Sequence, residues 1–120
     1  LHTAYRRQRQ MCIRDRKLKE KFSSLSIVKS SNILLEIMQD GVTKGNAVKE
    51  LCEMWDISLS NTIAFGDHYN DVEMLETVAM PFLMGNAPEE LKSRFPNVTE
   101  NNDEEGIYNG LAKIGLIPKI

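Results

Sequence analysis

The sequence predicts an α/β fold in which helices pack on a parallel sheet, and two observations support this prediction. The short apolar run Ile63–Phe65 is typical of a buried strand, and Gly66 ends it. Apolar residues then recur at helical spacing over residues 72–78, and another helical pattern, over residues 44–55, precedes the strand. Helix, strand and helix joined by short loops are typical of a parallel sheet, in which ligands bind at the carboxyl ends of the strands.

The length and composition of the chain indicate one globular domain. Its 120 residues leave room for one core, and 42% of them are hydrophobic. No apolar run approaches the roughly 20 residues of a membrane helix, and no secretory pattern is present. Cys12 and Cys52 lie far apart, which favours two free thiols in a reducing cytoplasm over one disulfide. We therefore expect a cytoplasmic protein with no membrane partner.

The amino-terminal segment is strongly basic. Residues 1–21 contain eight basic and two acidic residues, a net charge of +6, so the rest of the chain carries −8. Residues 6–16 lack apolar periodicity, and residues 11–16 resemble the peptide that is produced when a library-adapter sequence is translated. We expect residues 1–16 to be a non-native or disordered segment, and we expect no nucleic-acid partner. The alternative is a binding module whose basic segment contacts nucleic acid or a membrane.

A β-hairpin and a capped helix are predicted next. Leu25 and Ile27 alternate with serines, and a second alternation over residues 33–38 predicts the partner strand, with a turn at residues 30–32. Thr43 is placed to cap the following helix through its hydroxyl. This helix carries one apolar stripe, which we expect to be buried: Ala47, Val48, Leu51, Cys52 and Trp55.

Strands and helices continue to alternate after the acidic loop at residue 67. The helix over residues 71–78 precedes a buried strand at Phe82–Met84, where Pro81 fits only the first position or an edge. Pro88 suits the first turn of the next helix, and Val98–Thr99 predict a short strand. The final helix has an apolar stripe and a glycine C-cap: Ile107, Leu111, Ile114 and Gly115.

Acidic and amide side chains follow the predicted strand at Ile63–Phe65. Asp67 and Asp71 lie four residues apart, with Asn70 between them. Mg²⁺ takes oxygen ligands, usually one or two carboxylates together with water and a substrate phosphate, so this pattern predicts a magnesium site. The alternative interpretation is that Asn70 or Asp71 caps the following helix and that Asp67 is only a loop acid.

Three further side chains have both a functional and a structural interpretation. Lys44 follows a Gly-Val-Thr loop at the start of a helix, where it could present a positive charge to phosphate or simply be solvated. His68 could act as an acid–base group or be a solvated loop residue. Tyr69 could line a substrate entrance or cover the loop. From these residues alone, both interpretations stay open.

Three linked segments, in this order and spacing, resemble the C-terminal half of the haloacid dehalogenase superfamily, and in particular its Cof-type phosphatases of subclass IIB. They are Glu36–Gly45, Ile63–Leu75 and Met84–Ala87. The resemblance covers about Leu25 to Gly115, and it implies part of a Rossmann-like parallel sheet preceded by the last β-hairpin of a cap domain. It makes residues 17–41 the end of the cap and residues 42–120 the C-terminal half of the catalytic core.

The resemblance also implies roles for four side chains. Lys44 is similar to the catalytic lysine that steadies the nucleophile and the transferring phosphoryl group. Asp67 is similar to a direct Mg²⁺ ligand, and Asp71 to the second acid that supports the metal site. Asn70 is similar to a residue that contacts the phosphate or the metal site. The implied cofactor is Mg²⁺, and the implied substrate is a small phosphorylated metabolite such as a sugar phosphate.

The chain departs from the family pattern in one respect. The amino-terminal Asp-x-Asp motif is absent, since no two of the six aspartates lie two residues apart. We therefore expect a fragment that is inactive when isolated, because an aspartyl-phosphate mechanism needs a nucleophile. The alternatives are another phosphoryl-transfer protein that shares Gly-Asp-x-x-Asn-Asp, such as a P-type ATPase core or a phosphomutase, or a non-catalytic binding module.

Overall fold

A computed structural model describes residues 15–30 and 34–119 of the chain. The predictions for residues 1–14 and for most of the turn at residues 30–32 therefore fall outside the described residues. Residues 15–21 are helical (α1), which the sequence pattern did not predict. The other elements, in chain order, are β1 Leu25–Lys29, β2 Leu35–Gln39, α2 Lys44–Met54, β3 Ile63–Gly66, α3 Val72–Thr77, β4 Met80–Leu83, α4 Glu89–Lys92 and α5 Gly106–Lys113.

The predicted hairpin is confirmed. β1 and β2 are antiparallel, in a register that places Leu25 opposite Gln39 and Ile27 opposite Ile37. Ile27 is buried, whereas Ile37 is half exposed. β1 also contacts the 3₁₀ turn Tyr69–Asp71, so the hairpin lies beside the acidic loop that the sequence singled out.

The predicted cap of α2 is confirmed, whereas the predicted burial of its apolar stripe is confirmed for Cys52 and wrong for Ala47, Leu51 and Trp55. Thr43 has extended backbone angles, and its hydroxyl accepts a hydrogen bond from the Asn46 amide at 3.1 Å. Cys52 is buried as a free thiol, yet Leu51 is 41% and Trp55 64% exposed. An open groove beside β3 is lined by four residues of the stripe, Val48, Leu51, Cys52 and Trp55, and within the described residues Leu51 and Trp55 stay largely uncovered.

The central sheet consists of β3 and β4, which are parallel as predicted. Phe65 pairs with Phe82, and their rings stack with centroids 5.0 Å apart. The backbone amides of Met80 and Met84 donate to the carbonyl oxygens of Thr62 and Gly66. Pro81 lies at an alternate position, so its missing amide is on the outer side of β4, where it costs no hydrogen bond with β3. Ile63–Phe65 are only half buried, because β3 has no partner strand on its other edge within the described residues.

The core lies on the side of β4 that faces α3 and α4. Its buried members are Leu75, Leu83, Ala87, Leu91 and Phe95. Leu75 and Leu83 have no exposed surface, and burying such a side chain contributes about 1.5–3 kcal/mol to the free energy of unfolding. This core anchors α3, which follows the acidic loop, and β4, which pairs with the strand that precedes the loop.

The carboxyl-terminal third also follows the predicted order. Pro88 immediately precedes α4, and a single parallel bridge joins Leu83 to Val98 where a short strand was predicted. Gly115 follows α5 with φ +80, the left-handed conformation expected of a helix C-cap. Ile107, in the apolar stripe of this helix, is 51% exposed and lines a cleft.

Candidate functional site

The site is built on the bend at the carboxyl end of β3. Gly66 is buried there, and a Cβ atom added to it would lie 2.6 Å from Cβ of Asp71. Only glycine therefore allows the Asp71 side chain to fold back against the end of the strand. The next residue, Asp67, then starts the loop with its side chain exposed.

Asp71 links two distant parts of the chain. It is 5% exposed, and its Oδ1 accepts a hydrogen bond from Nζ of Lys44 at 2.5 Å. Its Oδ2 accepts from the backbone amide of Asp67 at 3.0 Å. A buried carboxylate is stable only when its oxygens are paired, and here both are. Asp71 thus holds the start of α2 beside the acidic loop, although Lys44 lies 27 residues earlier.

Asp67 presents its carboxylate to an open cleft of about 500 Å³. Its Oδ2 accepts a hydrogen bond from Nδ2 of Asn86 at 3.1 Å. The side chain of Lys44 is 51% exposed at the same cleft, so a cationic and an anionic group face one space. The cleft is lined by Lys44, Phe65, Gly66, Asp67, Asp71, Met74, Met84, Asn102 and Ile107.

The donor set suits a magnesium ion that is held mainly by water and substrate. Both oxygens of Asp71 are occupied by protein donors, whereas Asp67 uses only Oδ2. Within residues 15–30 and 34–119, no three His, Cys, Asp or Glu side chains converge as a closed metal cage. Mg²⁺ commonly uses one or two carboxylates together with water and phosphate oxygens, and this arrangement is compatible with that mode.

Asn70 lies at a second, neighbouring cleft rather than beside Asp67. This cleft of about 240 Å³ separates the hairpin from the core, and Lys44 lines it as well. Nζ of Lys29 in β1 lies 5.7 Å from the centre of the Tyr69 ring, a cation–π contact that joins the hairpin to the loop. Tyr69 lines this cleft, and its two interpretations, as part of a substrate entrance or as a cover of the loop, stay predictions.

The chain matches a known family along most of its length. The sequence profile described as haloacid dehalogenase-like hydrolase covers residues 3–111. The chain belongs to this family. A Haemophilus influenzae protein named as a phosphatase is 46% identical over 90 residues, which are 75% of this chain and 34% of that protein. The chain thus spans about a third of the length of the curated relatives it matches first.

Solved structures of haloacid dehalogenases share the fold. A haloacid dehalogenase-like hydrolase from Bacillus subtilis is 32% identical with a TM-score of 0.74, over 87% of this chain and 37% of that one. The subclass IIB sugar phosphatase BT4131 is 28% identical with a TM-score of 0.79, over 85% and 39%. The predicted α/β class and the resemblance to subclass IIB are therefore confirmed.

In this haloacid dehalogenase chain, the structure brings three of the four predicted site residues together, since Lys44, Asp67 and Asp71 are joined by direct hydrogen bonds. Sequence reasoning did not assign a role to Asn86, although the segment Met84–Ala87 was part of the resemblance. The Nδ1 atom of His68 is buried without a hydrogen-bond partner among the described residues, and its ring meets Tyr69 edge-on at 4.9 Å. None of the described helices has the length and apolar content of a membrane span.

Proposed function

We propose that the intact protein is a Mg²⁺-dependent phosphohydrolase that releases phosphate from a small phosphorylated metabolite. The observation that carries this proposal is the convergence of Lys44, Asp67 and Asp71 on one cleft at the carboxyl end of β3. Membership of the haloacid dehalogenase-like hydrolase family supports it, as does the naming of relatives as phosphatases.

Lys44 is suited to bind the transferring phosphoryl group. An ammonium has three donors, and the structure commits one of them to Asp71. The other two remain at a half-exposed side chain that faces the cleft. Asp71 compensates the lysine charge when no phosphate is bound, and it fixes the position of Nζ. Phosphoryl transfer depends mainly on such positioning and charge stabilisation, so Lys44 is assigned as the catalytic lysine.

Asp67 would hold the magnesium ion, and Asp71 would support the site through its two hydrogen bonds. When bound, Mg²⁺ supplies positive charge to the phosphoryl oxygens. Because the amide of Asp67 donates to the buried Asp71, the backbone of the metal ligand is held in place before any ion arrives. Asp71 is thus a positioning group in this assignment rather than a second freely available ligand.

The organic part of the substrate is proposed to lie between the hairpin and the core. Lys44 borders both clefts, so a phosphate held there would have its organic group beside Asn70 and Tyr69. The volume of about 240 Å³ suits a small metabolite such as a sugar phosphate. We propose that Asn70 contacts the phosphate or the rest of the substrate. We also propose that the protein is cytoplasmic and has no nucleic-acid or membrane partner.

The nucleophile is proposed to come from the part of the intact protein that this chain does not contain, because no Asp-x-Asp pair occurs in the sequence. We therefore expect the 120-residue chain to show no turnover of p-nitrophenyl phosphate. Lysine-dependent hydrolysis by the purified chain would contradict this assignment.

The test of the function uses the intact protein that contains this sequence. Lys44→Met and Asp67→Asn are expected to lower the kcat for p-nitrophenyl phosphate at least 100-fold at low Mg²⁺. Lys44→Met removes a positive charge at the transferring group, and Asp67→Asn removes the ligand of the Mg²⁺ ion that supplies another. Lys49→Met is the matched control, because Lys49 is exposed on the same helix and lines neither cleft. If the Asp67 variant turned over substrate like the parent at low Mg²⁺, the metal assignment would be wrong.

A further inference from the structure

The loop Gly85–Ala87 contains one residue whose role the proposed function leaves unexplained. A Cβ atom on Gly85 would lie 3.0 Å from the Asn101 amide and from the Thr99 carbonyl oxygen, so glycine permits a close backbone approach. Ala87 is buried in the core cluster. Asn86, between them, is exposed and contributes nothing to the core, yet its side chain reaches across to Asp67.

The two hydrogen bonds of Asn86 fix the orientation of its amide. Its Oδ1 accepts from the backbone amide of Asn102 at 3.2 Å, and a backbone amide can only donate. The other end of the side chain, Nδ2, must therefore face Asp67, where it donates to Oδ2 at 3.1 Å. Both hydrogen bonds require the same orientation of the amide. The contact with Asn102 therefore determines that Nδ2, a donor, faces the Asp67 carboxylate.

We propose that Asn86 is a positioning residue for the metal-binding carboxylate of Asp67. This inference rests on the proposed function, in which Asp67 holds Mg²⁺. The bond to Nδ2 holds one carboxylate oxygen, Oδ2, and leaves Oδ1 without a hydrogen bond from the described residues in a side chain that lines the cleft. Asp67 is then held at two points: its backbone amide donates to the Asp71 carboxylate, and its own carboxylate accepts from Asn86. Outer hydrogen-bond partners of this kind typically change metal affinity or activity by about 10–100-fold when removed.

The experiment compares the parent chain with Asn86→Ala in a Mg²⁺ titration, followed through the backbone amide resonance of Asp67. We expect about tenfold weaker Mg²⁺ binding, at the low end of that range because Asn86 is exposed. In the intact protein, the Mg²⁺ concentration for half-maximal activity should rise by a similar factor, while kcat at saturating Mg²⁺ changes less than about threefold. The melting temperature should stay close to that of the parent.

Asn97→Ala is the matched control, because Asn97 is also exposed and makes one long side-chain bond, of 3.4 Å, to the Pro81 carbonyl away from the cleft. It should leave the Mg²⁺ titration unchanged. Unchanged Mg²⁺ binding in Asn86→Ala would overturn the inference. A weaker affinity accompanied by a large fall in melting temperature would also overturn it, because Asn86 would then act only by stabilising the fold. Asp67→Asn separates the two proposals: if it leaves the Mg²⁺ response intact, the proposed function itself fails, whatever Asn86→Ala does.

Discussion

Replacing Asp71 with asparagine tests how the site is held together. The two side chains have the same shape, but an amide has one acceptor oxygen where the carboxylate has two. Nζ of Lys44 and the amide of Asp67 both donate to Asp71, so one of them must face the new NH₂ group, whichever way it turns. The variant therefore loses one hydrogen bond to a charged acceptor at a site that is 5% exposed.

The expected cost follows from these contacts. A hydrogen bond to a charged group contributes about 1.5–3 kcal/mol. Because the Lys44 side chain is half exposed, solvent screening weakens the attraction between its charge and that of Asp71. We expect Asp71→Asn to reduce the free energy of unfolding by about 2 kcal/mol, or roughly 8 °C in melting temperature for a chain of this length. Urea unfolding followed by circular dichroism measures the loss.

Asp103→Asn is the control for this prediction, because Asp103 is an exposed loop aspartate and its replacement should change stability by less than about 0.5 kcal/mol. If Asp71→Asn were as harmless as the control, Asp71 would not hold Lys44 and the loop together in solution. The proposed arrangement of the site would then be wrong, although the chain would still belong to the same family.

Substitutions at three further positions test other parts of the fold. Gly66→Ala places a methyl group 2.6 Å from Cβ of Asp71 and should lower stability by about 1–3 kcal/mol, measured by urea unfolding. Thr43→Ala removes the cap of α2 and should cost about 1 kcal/mol, whereas Thr43→Ser should retain most of that. Hydrogen bonds from its own backbone amide and from the Thr99 hydroxyl hold the pKa of Glu100 below its ordinary value. The contribution of Glu100 to stability is therefore present above about pH 4.5 and is lost as the pH falls through the lower pKa of the folded state. Glu100→Gln should therefore make the melting temperature depend less on pH on the acid side. An unchanged pH profile would contradict this prediction.

Local signals in the sequence predicted the elements well. The hydroxyl of Thr43, the alternation around Ile27 and the glycine after α5 each act through neighbouring residues, so their consequences can be inferred from a few positions. Burial could not be predicted in the same way. The stripe of α2 has the spacing of a buried face, but burial also requires a covering element, and within the described residues Leu51 and Trp55 have none.

The site was predicted in part because its residues lie at special points of the fold. Asp67 follows a strand directly, and Lys44 begins a helix, so the topology alone brings them close. The resemblance then assigned their roles. The contacts of Asn86 with Asp67 and Asn102 could not be predicted from spacing, because they depend on how the loops at residues 86 and 102 approach each other in three dimensions. Asn86 belonged to a recognised segment, which was the one available signal.

The most direct test of the central claim is to locate divalent-ion binding on the chain itself. Mn²⁺ has the same preference for carboxylate and water ligands as Mg²⁺, and it broadens the NMR signals of nearby residues. At low Mn²⁺ we expect the strongest broadening at Asp67 and Asn86, and we expect Asp67→Asn to abolish it. Broadening that is centred elsewhere, or that persists unchanged in Asp67→Asn, would contradict the claim that the bend after β3 holds the ion.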